Sequence, residues 1–318
     1  MECDDPADIS FPELDMPGQP NPFMKVSSRS TPVSTLERFQ KLLRNYVRRD
    51  LSYQADVLKA FSGILNSVSS ELGEDIWGLP SLEFSNMMLW AYDAHNPQQR
   101  IWDFPSWSWA GWKTGRGKNI LLDTLGQDKS EILRFRYRLD EHNRWSLVGI
   151  PITGDIEPNV FEAPEVIEGL VDASNKLCYR IISGSLLSPI SHVLHLYTAM
   201  ATLAIDPEPS EFKPTTSLLP QGLRVIKEGC VFYSVRVRTT GKKIAPIVLN
   251  RERRDAYPSQ MDFVCVANDG YTPFGPLVYV MLIEWKQGIA YRVQLCAEPL
   301  KAEDWEEVHP QRRWIALA

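Results

Sequence analysis

Two histidines three residues apart, His192 and His195 in "SHVLHLY", are the chain's nearest approach to a metal-ligand spacing. On a strand, positions i and i+3 point to opposite faces, so this pair cannot share one ion. No cysteine or aspartate cluster follows at ligand spacing, and neither a metal nor another cofactor is expected. The stretch ending in Gly117-Lys118 invites comparison with a phosphate-binding loop, G-x-x-x-x-G-K-[ST]. Trp112 stands where the first glycine belongs and Asn119 replaces the hydroxyl residue, so a loop that turns a hairpin is expected instead. "GSLLSPISH" has serines and a histidine, but no G-x-S-x-G elbow and no strand–turn–helix context. Glu303, Asp304, Glu306 and Glu307 read as the solvated face of a short helix. The basic run Arg251–Arg254, "RERR", reads as a solvated turn. These residue types assemble no catalytic constellation, and the chain is not expected to be an enzyme.

The densest chemistry lies in "RIWDFPSWSWAGWKTGRGK", which holds four of the ten tryptophans, Trp102, Trp107, Trp109 and Trp112, within eleven residues. If Ser106 to Gly111 is a strand, Trp107 and Trp109 share one face, and Ser106, Ser108 and Ala110 share the other. Two readings follow. The indoles fill a core, each burying roughly 150–250 Å². Alternatively Trp107, Trp109 and Trp112 form an exposed stacking platform for a sugar or peptide. Small residues on the opposite face mean close packing there too, which favours the core.

The elements that must position these residues change character along the chain. Residues 1–33 carry six prolines up to Pro32 and few aliphatics, and read as a flexible lead-in or linker whose upstream partner is missing. Ser34 and Glu37 form a capping box, and Leu36, Phe39, Leu43, Tyr46 and Val47 recur at helical spacing behind it. A second helix starts near Ser52, with a stripe of Leu58, Phe61, Leu65, Val68 and Leu72 and a stop at Gly73. A third is expected from Leu82 to Tyr92.

After Pro105 the period drops to two. "LRFRYRL", "HVLHLYTAMATLAI", "VFYSVRVR", "DFVCVA", "LVYVMLIEW" and "IAYRVQL" read as strands, with Lys286-Gln287-Gly288 turning the last two into a hairpin. "AEDWEEV" is a short helix and "RRWIAL" a closing strand. The fold class is therefore α+β: a helical segment over 34–104 of about three helices, then a mostly antiparallel β-rich part over 105–318, the two forming one unit or standing side by side.

Composition sets the limits. A chain of 318 residues, 44% apolar and 23% charged, can bury a core without staples. A net charge of −6 gives no general affinity for nucleic acid or anionic membrane. The longest apolar run, Leu277 to Ile283, falls far short of the roughly 20 residues a membrane helix needs. The acidic start "MECDDPADIS" is no secretory signal. Five scattered cysteines without a C-x-x-C pair fit reduced thiols and a cytoplasmic protein.

"FPSWSWAGW" resembles the proline–serine–tryptophan–serine–tryptophan motif found downstream of the heterokaryon incompatibility domain in fungal proteins. Three further blocks follow the same order. Arg44–Leu65 is similar to the segment joining that domain to the motif, with Tyr46, Arg48, Arg49, Leu51, Ser52, Asp56, Ala60, Phe61, Gly63 and Ile64 at matching places. "WGLPSLEFSNMMLW", Trp77 to Trp90, resembles the family's next block. Tyr279 to Glu307 resembles its ending. The likeness covers most of residues 34–318. The signatures of the incompatibility domain itself do not occur, so no residue of this chain inherits that domain's activity. The resemblance implies a regulatory or recognition region with a protein partner, linked to non-self recognition and cell death.

Overall fold

The computed structural model describes residues 34–92, 99–115, 120–122, 133–137, 145–147, 192–210, 231–270, 272 and 275–318. The lead-in over 1–33 and the loop around Gly117-Lys118 lie outside them. Ser34–Ala318 packs as one compact unit. The class is α+β, with helices first and a large, mostly antiparallel sheet after them.

Helix α1 (Thr35–Tyr46) begins on the capping box: the Glu37 amide donates to Ser34 Oγ at 3.1 Å, and the Ser34 amide donates to Glu37 Oε2 at 3.2 Å. Helix α2 (Val57–Leu72) follows a 3₁₀ turn at Gln54–Asp56. It stops at Gly73, whose φ of +84° a side chain would resist. The two helices meet through Phe39 and Phe61, ring centres 5.8 Å apart, and Tyr46 Oη donates to the Val57 carbonyl at 2.7 Å.

A tight hairpin, β1 (Asp75–Ile76) and β2 (Leu79–Pro80), turns through Trp77 and Gly78, both at positive φ. The third helix is shorter than its sequence suggests. Helix α3 covers only Phe84–Met88, and Trp90–Tyr92 forms strand β3, paired with β4 (Ile120–Leu122). Aromatic side chains at alternate positions suit a strand better than a helix.

Among the described residues the main sheet has ten strands. They are β5 (Leu133–Tyr137), β6 (Trp145–Leu147), β7 (Leu194–Ile205), β8 (Phe232–Arg236), β9 (Lys243–Val248), β10 (Gln260–Asp269), β11 (Leu277–Lys286), β12 (Ile289–Leu295), β13 (Leu300–Lys301) and β14 (Gln311–Leu317). Two short helices, α4 (Arg251–Ala256) and α5 (Ala302–Glu307), interrupt them. The β11–β12 hairpin turns at Gln287 and Gly288, both at positive φ, where the Lys-Gln-Gly signal placed it.

The pairings return on themselves. Met200 of β7 is registered with Gln311 on one side and Val264 on the other, so β14 and β10 flank opposite edges of β7. From β10 the ladder runs to β11, β12 and β14, and so back to β7. The weakest link is β12–β14. It is parallel and holds one registered pair, Ala290 with Leu317, closed by the Ala318 amide donating to the Ala290 carbonyl at 2.9 Å.

Among the described residues, alternation along the strands feeds two large cores and a small third cluster around Ile289, Tyr291 and Ala316. Phe263, Val280 and Leu282 face one, with Val235, Ile247 and Trp305. Val264, Met281, Ile315 and Leu317 face the other, which continues without a break into Phe39, Phe61 and Trp109. The helices and one side of the sheet therefore share a single hydrophobic core. No helix among the described residues is long and apolar enough to cross a membrane.

Candidate functional site

The tryptophan segment sits where helices, hairpin and sheet meet. It is not a strand. Pro105–Ser108 is a turn, followed by a 3₁₀ turn at Trp109–Gly111. A period of two here comes from indoles pointing in successive directions around a coiled backbone, not from a pleat.

A segment without a ladder must satisfy its backbone in another way, and side chains do so here. The Phe104 carbonyl accepts from Arg100 Nη2 at 2.8 Å, and the Gly111 carbonyl accepts from Arg100 Nη1. The Ser106 carbonyl accepts from Trp112 Nε1 at 2.9 Å, the Trp107 carbonyl from Trp90 Nε1 at 2.9 Å, and the Trp109 carbonyl from Tyr92 Oη at 2.8 Å. Gly111 is needed because a Cβ there would run into Arg100 Nη1 and the Pro105 carbonyl.

The segment's own donors reach outward. Trp107 Nε1 donates to the His192 carbonyl at 3.0 Å, and Trp109 Nε1 to the Gly78 carbonyl at 2.9 Å. Ser108 Oγ donates to the Trp77 carbonyl at 2.5 Å and accepts from the Ala110 amide. Ser106 Oγ accepts from the Arg292 amide at 2.8 Å and donates to the main-chain oxygen of Ala318. That hydroxyl fills the thin β12–β14 seam where ladder bonds run out. Ser106→Ala leaves the buried Arg292 amide and the Ala318 main-chain oxygen without this partner, and should cost about 1–3 kcal/mol by urea unfolding; a loss under about 0.5 kcal/mol would mean the seam does not need it.

Trp107, Trp109 and Trp112 are 1%, 0% and 2% exposed. Their faces are covered by Phe84, by Tyr46 and Phe61, and by Trp90 and Tyr92, respectively. A stacking platform needs open faces, so these three indoles do not offer one. Trp102, at 49% exposed, is the segment's accessible indole. Trp102→Phe should therefore remove more acrylamide-quenchable fluorescence than Trp107→Phe. Equal quenching losses would contradict the burial described here.

The second set of contacts comes from β12. Arg292 is 2% exposed, with its guanidinium 3.6 Å above the Trp90 ring. Its Nη1 donates to the Met88 carbonyl at 2.9 Å and its Nη2 to the Trp90 carbonyl. Gln294 Nε2 donates to the Tyr92 carbonyl at 3.1 Å and the Val248 carbonyl at 3.3 Å. Two side chains on one face of β12 thus serve three alternate carbonyls, at 88, 90 and 92, and dock β3 on the sheet without a strand pairing. Burial pulls Arg292 down to about 9 and Arg100 down to about 10, and pushes the Tyr92 hydroxyl well up.

Features far apart in sequence converge on this centre. The histidines of the H-x-x-H pair separate: His192 packs edge-on against Trp77 with ring centres 4.7 Å apart, while His195 is buried within β7. The "RERR" run is not a solvated turn. It forms α4, capped by Asn250, with Arg253 5.0 Å over Trp112. Arg254, 5% exposed, donates to the carbonyls of Ile205, Asp206 and Tyr257. The acidic helix lies elsewhere and holds Lys242 between Asp304 and Glu307 at 2.7 Å each. Cys265 and Cys296 are buried thiols. Among the described residues, no group of three His, Cys, Asp or Glu could hold a metal ion.

Burial holds both imidazoles neutral, with values pulled down to about 4. An unfolded histidine titrates near 6.5, so the unfolded state takes up the proton first as pH falls. Their contribution is complete above about pH 6.5 and is lost as pH drops towards 4. His195→Gln should therefore show a shallower stability loss between pH 7 and pH 5 than the wild type. Identical slopes would contradict it.

Arg292, Gln294, Trp90 and Tyr92 carry no sequence signal of their role. "IAYRVQL" alternates as a half-solvated strand does, and only the carbonyls of β3 make its polar face an interior one. Comparison with family models, curated proteins and solved structures finds no match to this chain.

Proposed function

We propose that residues 34–318 are a non-catalytic regulatory and recognition region of a heterokaryon-incompatibility-like protein, working in the cytoplasm through a protein partner. On this reading it holds an incompatibility-type effector domain in check, or senses a partner that releases it, in fungal non-self recognition and cell death. One observation carries the reading: the four blocks of the resemblance, separated in sequence, meet at one centre. Tyr46 and Phe61 of the first pack edge-on against Trp109. Trp77 and Gly78 of the second accept from Ser108 and Trp109, and Trp90 donates back to Trp107. Arg292 of the last reaches Trp90 and, through its amide, Ser106. The motif residues are spent on joining parts of the chain, as suits a region that transmits contact rather than performs chemistry.

The test is co-expression in a filamentous fungus. An incompatibility domain expressed alone is compared with the same domain fused to this chain, with growth arrest as the readout. Fusion should reduce arrest, and Trp109→Ala in the fused chain should restore it. Equal arrest in all three strains would overturn the regulatory reading.

A further inference from the structure

One part of the first block lies at the surface. Arg48, Arg49, Ser52 and Tyr53 lie in the irregular connection between α1 and α2, and all four are exposed. Tyr53 is 75% exposed, with extended backbone at φ −126° and ψ 110°. The Ser52 hydroxyl takes part in no hydrogen bond among the described residues. The serines of α2 differ: Ser62, Ser67 and Ser69 each donate to the carbonyl three residues back, locked in helix.

We propose that Ser52 is a phosphorylation site for a serine/threonine kinase that reads arginine three residues before its target. Arg49 holds that position and Arg48 adds a second cation beside it. Arginine's fork suits the acidic subsites with which such kinases select substrates. Among the described residues, Thr239 is the other serine or threonine with an arginine three places before it. That arginine, Arg236, is tied to Asp206 at 2.5 Å and to the Gly241 carbonyl at 2.9 Å, so it is not free to be read. In the step itself, Ser52 Oγ attacks the γ-phosphorus of ATP. The bond from that phosphorus to the bridging oxygen breaks, ADP leaves with the electron pair, and the hydroxyl proton passes to the kinase's base.

The place matters for the fold. The same connection clamps the far end of the tryptophan segment. The Gly115 amide donates to the Val47 carbonyl at 2.9 Å, and the Thr114 amide to Gln54 Oε1 at 3.1 Å. A phosphate at Ser52 adds a charge of about −1.5 to −2 between those two clamps, beside Arg48 and Arg49. The assignment goes beyond the regulatory reading and stands without it.

The experiment treats the intact chain with the catalytic subunit of cAMP-dependent protein kinase and magnesium ATP, and maps modified peptides by mass spectrometry. Ser52 should be phosphorylated, and the Ser52 label should vanish in Ser52→Ala. Its rate should fall about tenfold or more in Arg49→Ala and in Arg49→Gln, with thermal midpoints unchanged, because a reader of arginine loses its charge-assisted fork. Label confined to other residues, or Ser52 labelled at the wild-type rate in both Arg49 variants, would overturn the proposal.

Discussion

Trp109→Ala is expected to lower the unfolding free energy by about 3–5 kcal/mol. The indole is 0% exposed and meets Tyr46 and Phe61 edge-on, with ring centres 6.0 Å and 5.4 Å away. Truncation removes that packing, leaves a cavity between α1, α2 and the β1–β2 hairpin, and orphans the Gly78 carbonyl that its N–H satisfied. Trp102→Ala, at an accessible indole, should cost under about 1 kcal/mol. Urea unfolding followed by far-ultraviolet circular dichroism measures both. Equal losses for the two variants would mean that Trp109 does not hold the helices to the sheet.

Arg292→Met is expected to be nearly as damaging, at about 2–5 kcal/mol. Methionine fills much of the volume and removes a buried charge, which alone would favour the fold. It also strips donors from the buried carbonyls of Met88 and Trp90, each costing about 1–3 kcal/mol when unmet. The sum favours destabilisation because both acceptors belong to residues buried in the core. Arg292→Lys keeps the charge but not the fork, and one ammonium cannot match a planar guanidinium stacked 3.6 Å from Trp90. It should recover less than half of the loss by the same measurement. A fully stable lysine variant would show that charge, not bidentate donation, is what β12 supplies.

Much of the scaffold is legible in the chain because its signals are local. The Ser34–Glu37 box, the Gly73 stop and the Gln287-Gly288 turn each act within a few residues, and each appears where its residue types place it. The longer strands are legible for the same reason, since alternation is a local property. The centre is not local. Ser106–Gly111 imitates a strand because tryptophan and small residues alternate, yet its carbonyls are met by Trp90, Tyr92, Arg100 and Trp112 from outside that stretch. The third helix breaks before Trp90 because β3 is claimed by β4 and by side chains of β12, more than two hundred residues from the carbonyls they serve. Arg254 shows the same limit. Four charged residues in a row suggest solvent, and only the nearby carbonyls of Ile205 and Asp206 bring that guanidinium inside. The density of tryptophan in Trp102–Trp112 marks the segment out in the sequence. The reason for its tryptophans, side-chain donors standing in for a missing ladder, needed the fold.

The central claim is that one seam makes the helical segment and the sheet a single cooperative body. Hydrogen exchange read by mass spectrometry across a urea series tests it most directly, comparing peptides from Val57–Leu72 with peptides from Leu277–Lys286. The account predicts that both lose protection at the same urea concentration in the wild type, and that Trp109→Ala moves the helix peptides to lower urea ahead of the sheet. Helix peptides that already exchange well below the sheet's transition in the wild type would contradict it.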